Sequence, residues 1–190
     1  MLFCFAHAFS LGEKFMSAVA VKEAVNLMPV NNVLLAAVIS AVQGAFTMCG
    51  FTARCVGASS VPVHDTGKIT GMIGVHGNVS GFVTVNMTER VAIRAANSLL
   101  QESFKELNSQ IVDATGEITN MVVGGVKSAL AATPYGFSQI TVPSVIVGQG
   151  YSIAYARGLE FLNATFEHED REAVLLEDRL IQVSISLLAL

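Results

Sequence analysis

Apolar residues recur at three- and four-residue steps between Leu107 and Leu130: Leu107, Ile111, Ala114, Ile118, Met121, Val122, Val126 and Ala129 line one side of a helix. At about 100° per residue, Asp113, Glu117 and Asn120 fall together on a flank turned roughly 130° from that stripe. Gly116, Gly124 and Gly125 interrupt a segment otherwise rich in helix formers, each at about 1 kcal/mol relative to alanine. Two readings stand on the helix alone. The flank is either a site that something approaches closely, or solvated surface whose glycines serve packing, and the local pattern favours the second.

Upstream, the pattern predicts a helix with Asn32 as N-cap, running through VLLAAVISAVQGAFTMC and ending before Gly50. Only Ser40, Gln43 and Thr47 make a polar edge. The segment sits at the lower limit of the roughly 17–25 residues a membrane span requires and lacks charged flanks, so it reads as a buried helix. After Gly50 the period changes to two. FTARCVG, KITGMIGVHG and VSGFVTVNM read as strands, the last two joined by a turn at Gly77-Asn78. Thr88 caps a helix, ERVAIRAANSLLQ, with Val91, Ala92, Ala95 and Leu99 inward and Arg90, Arg94 and Asn97 outward.

Beyond the central helix, Pro134 and Gly136 stop the helical pattern. FSQITVPSVIVGQ and YSIAYARGLEFLNATFE read as two long strands with a turn at Gly148-Gln149-Gly150. An acidic connector, EHEDREAVLLED, is expected to be exposed and to hold a short helix, and RLIQVSISLLAL closes the chain as a strand. Hairpin-linked strands with helices between them predict an α+β domain with a largely antiparallel sheet and its helices grouped on one face.

Composition narrows the function classes. With 190 residues and no spacer or repeat, one domain is expected over residues 16–190. Residues 1–15, MLFCFAHAFSLGEKF, are expected to be an N-terminal extension or a misassigned start; they lack the basic region and long apolar run of a signal peptide. Hydrophobic residues make up 52% and charged ones 14%, so either the core is large or surface is buried in an oligomer. A net charge of −4 without any basic cluster excludes a nucleic-acid partner. Three cysteines without zinc spacing and four scattered histidines imply reduced thiols in a cytoplasm and no metal site. Gly67-Lys68 is not a phosphate loop, because Pro62 stands where its first glycine is required, and Gly148-Gln149-Gly150 lacks the third glycine and helix of a dinucleotide fingerprint.

Read as a spacing, the central helix gives Asp113, three residues, Glu117, two residues, Asn120, then twenty-two residues to Pro143. This resembles the signature of the CheC/CheX/FliY phosphatases of bacterial chemotaxis, in which an Asp or Ser opens the pattern and a proline closes it. The hairpin GMIGVHGNVSGFVTVNMT, the helix after it, the motif helix and ITVPSVIVGQG look like the CheX arrangement from about residue 30 to the end. The motif occurs once. Ser40 is followed by Gly44 and Thr47 where Glu and Asn would be needed, and Ser98 with Glu102 leads to Lys105; a single site is similar to CheX and unlike CheC.

The resemblance implies a CheX-like α+β fold and hydrolysis of the aspartyl-phosphate of a CheY-type response regulator. Asn120 would position the attacking water and Glu117 would dock to the regulator's lysine. Gly116 and Gly124 would leave the approach open, Pro143 would be structural, and Asp113 would support either the helix against its neighbours or the partner's rim. No cofactor is expected on this chain; the Mg²⁺ belongs to the regulator. A cytoplasmic homodimer paired through sheet edges is implied, with no membrane partner. The alternatives are a non-catalytic dimeric module that binds a response regulator or signalling component, and a purely structural oligomerisation domain. Retention of both Glu117 and Asn120 favours the enzyme.

Overall fold

In a computed structural model of the chain, residues 30–61, 68–148, 151, 153 and 158–190 are described. The expected extension at 1–15, Gln149 and Gly150 of the expected turn, and residues 152 and 154–157 of the strand expected after it lie outside them. The described elements are α1 (Asn32–Met48), β1 (Ala53–Ser59), β2 (Ile69–Gly77), β3 (Val79–Met87), α2 (Glu89–Leu100), α3 (Ser109–Leu130), β4 (Phe137–Ile140), β5 (Ser144–Val147), β6 (Glu160–His168), a 3₁₀ turn (Leu176–Arg179) and β7 (Leu180–Ala189). The seven strands form one sheet in the order β1-β6-β7-β3-β2, with β4 and β5 one after the other along the outer edge of β2. Every pairing is antiparallel.

The register explains why the sheet has two chemically different faces. Side chains alternate across a strand, so residues paired across neighbouring strands share a face. One face carries the rows Leu162, Ile185, Val83, Ile73; Ala164, Val183, Val85, Gly71, Val145; and Phe166, Ile181, Met87, Ile69, Val147. Most of these side chains are fully buried and pack with the inner sides of the helices into one core. The opposite face carries Asn163, Ser184, Thr84 and Met72, and beside them Thr165, Gln182, Asn86 and Thr70. Tyr151 lies over this polar face, its hydroxyl bonded to Thr70 Oγ1 and accepting from Asn86 Nδ2 at 3.2 Å.

The expected α+β architecture is observed, with local corrections. The cap of α1 is Asn31 and not Asn32: Asn31 Oδ1 accepts from the backbone N–H groups of Val33 and Leu34, at 3.1 and 3.2 Å. Two adjacent asparagines are equivalent by propensity. The first prevails because its Nδ2 also donates to Tyr135 Oη at 2.6 Å and Glu160 Oε1 at 3.0 Å. Gly50, at φ 76°, carries the chain out of α1 in the left-handed region that favours glycine.

The segment read as one long strand, FSQITVPSVIVGQ, is two short strands. Pro143 has no N–H to give a ladder, and residues 141–143 leave the sheet between β4 and β5. The acidic connector is not exposed throughout. His168 and Asp170 are buried, and Arg90 and Arg94 of α2, though still partly exposed, reach Asp170, with Arg90 Nε 2.8 Å and Arg94 Nη1 3.6 Å from Asp170 Oδ2. The Arg90 guanidinium beside Asp170 pulls that carboxyl down to about 2. Its short helix is the 3₁₀ turn Leu176–Arg179.

Candidate functional site

Helix α3 is held at its start by Asn108, whose Oδ1 accepts from Ile111 N at 3.0 Å. The stretch before it is fixed by Asn97, whose amide donates to Phe104 O at 2.9 Å and accepts from Phe104 N at 2.8 Å. Ile111, Ala114, Ile118, Val122 and Val126 are buried, as the apolar stripe predicts. Thr115 and Thr119 are buried with them, their hydroxyls donating one turn back to Ile111 O at 2.8 Å and Thr115 O at 2.7 Å. Thr119 faces Gly71 of β2 so closely that a Cβ on Gly71 would overlap Thr119 Oγ1 and lie 2.8 Å from Thr119 Cβ. This approach seats α3 on the sheet. On the other side, a Cβ on Gly125 would stand 2.8 Å from Ala41 Cβ, so glycine there lets α1 and α3 cross at close range.

The remaining side of α3 is exposed, and Asp113, Glu117 and Asn120 lie on it. Helical geometry puts Asp113 and Glu117 about 6 Å apart along the axis and Glu117 and Asn120 about 4.5 Å apart, within a sector of roughly 60°. Among the described residues no side-chain hydrogen bond or ion pair engages any of the three. The flank therefore presents two carboxylates and an amide with their hydrogen-bonding capacity unspent, on a helix whose opposite side is immobilised in the core.

The glycines divide. Gly124 is open, with nothing within 4 Å of where its Cβ would be. Gly116 is buried, and the space beside it is taken by Pro143, 3.5 Å from the position of its Cβ, and by Val145 at 3.7 Å. The clearance at Gly116 thus admits the proline of the motif itself, and the twenty-two residues of spacing bring that ring onto the helix one position before Glu117. Pro143 stands immediately before β5.

Chemically the flank is incomplete. From Asp113 to Asn120 its exposed positions hold no thiol, hydroxyl or cation, and among the described residues no group of three or more His, Cys, Asp or Glu converges as a metal site. A neutral amide beside carboxylates can orient a water molecule and receive a cationic group. Cys49 is buried and its thiol is pushed up to about 11 by burial, which makes it a poor nucleophile. A cavity of about 1370 Å³ lies elsewhere, between α2 and the acidic connector. Its lining acids and bases largely neutralise each other, as in the Arg90–Asp170 pair. Sequence reasoning missed that pair; the alternation of Arg90 and Arg94 one turn apart was the available signal. No helix among the described residues is long and apolar enough to cross a membrane.

The family model described as chemotaxis phosphatase CheX matches residues 69–167, more than half of the 190-residue chain. Among solved structures, a putative chemotaxis protein from Desulfovibrio vulgaris Hildenborough superposes with a TM-score of 0.70 at 24% identity, covering 84% of this chain and 99% of that one. The chemotaxis protein CheX from Vibrio vulnificus gives a TM-score of 0.66 at 24% identity, covering 82% and 97%. CheX from Borrelia burgdorferi, solved as a complex with CheY, BeF₃ and Mg²⁺, gives 0.65 at 20% identity, covering 80% and 96%. Among curated proteins no sequence matches significantly.

Proposed function

This chain belongs to the CheX family of chemotaxis phosphatases, and on that premise we propose that it hydrolyses the aspartyl-phosphate of a CheY-type response regulator, with Asn120 and Glu117 as its working residues. The observation that carries the proposal is the unspent amide and carboxylate on the exposed side of α3, locked from behind by the Gly71–Thr119 and Gly116–Pro143 contacts. The structural relative from Borrelia burgdorferi, solved with CheY, BeF₃ and Mg²⁺, supports the choice of partner class.

In this reading the regulator supplies the phosphorylated aspartate, its Mg²⁺ and a lysine. Glu117 pairs with that lysine and fixes the angle of approach. Asn120 then reaches the phosphoryl group; its Oδ1 accepts from a water, and its Nδ2 stays free to donate. The water oxygen bonds to phosphorus in line as the bond from phosphorus to the aspartyl oxygen breaks, which leaves a free carboxylate and inorganic phosphate. Because the amide is neutral it does not repel the phosphoryl oxygens, and holding the water in place is worth on the order of 10²-fold in rate. Asp113, one turn before Glu117, adds negative potential for a cationic rim on the partner.

A cytoplasmic homodimer is part of the proposal. Edge strand β1 exposes Val56, Gly57 and Ala58, and Arg54 is its one charged residue, so it offers backbone groups that a second copy can pair with. Light scattering that finds only monomers would remove this part. The test of the main claim is phosphate release from a panel of phosphorylated receiver domains of the same genome, with and without the chain. Acceleration of at least one is expected; acceleration of none would leave the non-catalytic binding module as the better account.

A further inference from the structure

Between β4 and β5 the chain leaves the sheet for three residues, and both ends of that excursion are fastened. Thr141 N donates to Gly74 O at 2.9 Å, and Thr141 Oγ1 accepts from Gly74 N at 2.9 Å, so one residue replaces the lost ladder. At the other end, Pro143 rests against Gly116 of α3. Val142, held between these anchors, is 83% exposed. A break that interrupts a strand beside a candidate site and turns one side chain outward is a recurrent use of such irregularities.

Val142 is not alone on this rim. Val145 reaches the same Gly116 position, and alternation along the strand puts Val147, two residues on and 48% exposed, on the same side of the sheet edge. No charged residue occurs from Phe137 to Gly148. Around the axis of α3, Gly116 is only about 40° from Asn120 and 60° from Asp113, so this uncharged rim borders the exposed flank on its Asn120 side.

We propose that Val142, supported by Val147, is the apolar, specificity-setting part of the surface that receives the phosphorylated receiver domain. The proposal rests on the reading that the receiver docks on the Asp113–Asn120 flank. An interface of standard size covers roughly 800 Å² on each partner, a disc of about 16 Å radius. Val142 is one Cα step of about 3.8 Å from the proline that touches α3, and Asn120 is about 6 Å along the helix from Gly116. Even with the 3.5 Å contact between Pro143 and Gly116 added, Val142 falls within the reach of a receiver seated over Asn120. The receiver that fits presents an apolar side chain beside its phosphorylated pocket, and one with a charged group there is rejected.

Val142→Asp tests this, with Val142→Leu as the conservative variant. Both are expected to keep the wild-type urea midpoint, since the side chain supports no packing. Val142→Asp should raise the KM for the phosphorylated receiver, and the Kd for the receiver loaded with BeF₃ and Mg²⁺, by about tenfold. Its kcat at saturation should stay within about twofold, and Val142→Leu should bind within about twofold of wild type. Wild-type KM and Kd in Val142→Asp, with turnover still abolished by Asn120→Ala, would overturn this inference and leave the proposed function standing. A fall in kcat at unchanged KM would also overturn it. If the wild-type chain neither binds nor accelerates any receiver, the proposed function falls and this inference with it.

Discussion

Replacing Gly71 by alanine should lift α3 from the sheet. The new methyl would overlap Thr119 Oγ1, lie 2.8 Å from Thr119 Cβ and 3.1 Å from its Cγ2. Thr119 cannot rotate away at no cost, because it is fully buried and its hydroxyl donates to Thr115 O. The overlap must be relieved by moving the helix or distorting the rotamer, which costs about 1–3 kcal/mol. With a urea slope of about 2 kcal/mol per M, a loss of 2 kcal/mol lowers the unfolding midpoint by roughly 1 M.

Gly71→Ala with Thr119→Ala separates this cause from a loss of glycine's backbone freedom. The second substitution removes Oγ1 and Cγ2 but leaves the close Cβ, so the double variant should recover about half of the deficit, with a coupling energy of about 1–2 kcal/mol. Phosphate release should fall with the single substitution and recover in part with the double, since the flank carrying Asn120 is displaced with the helix. A Gly71→Ala midpoint within about 0.2 M of wild type, or strictly additive substitutions, would refute the claim that this contact seats α3.

Asp170→Asn should cost about 1–2 kcal/mol at neutral pH, because the Arg90 hydrogen bond lowers the Asp170 carboxyl from 3.8 to about 2. A lowered carboxyl stabilises the fold above its ordinary range and loses that contribution as pH falls from about 4 toward 2. The gap between variant and wild type in urea unfolding should therefore shrink to about half by pH 3; a gap independent of pH would contradict the assignment. Asn31→Ala removes the α1 cap and the bonds to Tyr135 and Glu160, and should lower stability by about 1–2 kcal/mol in the same assay. Glu117→Ala should raise the KM for the phosphorylated receiver by about tenfold with little change in kcat; an unchanged KM would remove Glu117 from docking.

What the chain reveals by pattern alone is uneven, for physical reasons. The central helix, the β2–β3 hairpin and the Thr88 cap are legible because each is set by local rules: apolar period, turn residues, a side-chain acceptor ahead of a helix. The break at Thr141–Pro143 is half legible. Proline forbids one ladder bond, but whether the chain bulges or simply ends a strand depends on Gly74 and Gly116, which are distant in sequence. The roles of the glycines are not legible at all from one helix. Gly116, Gly124 and Gly125 look alike in sequence, and only tertiary placement turns the first onto Pro143, leaves the second open and puts the third against Ala41. The burial of Asp170 is hidden for a similar reason, since an acidic run reads as solvated until two arginines on another element are known to face it.

The central claim is that an exposed amide on α3 orients the water that attacks a partner's aspartyl-phosphate. Phosphate release from a phosphorylated receiver, followed at saturating chain for wild type and Asn120→Ala, tests it most directly. Asn120 is exposed and unbonded to other described residues, so the variant should keep its unfolding midpoint and its affinity for the receiver within about threefold. Its rate at saturation should fall by about 10²-fold or more, to the receiver's own rate of dephosphorylation. A variant that dephosphorylates the receiver at the wild-type rate would contradict the account.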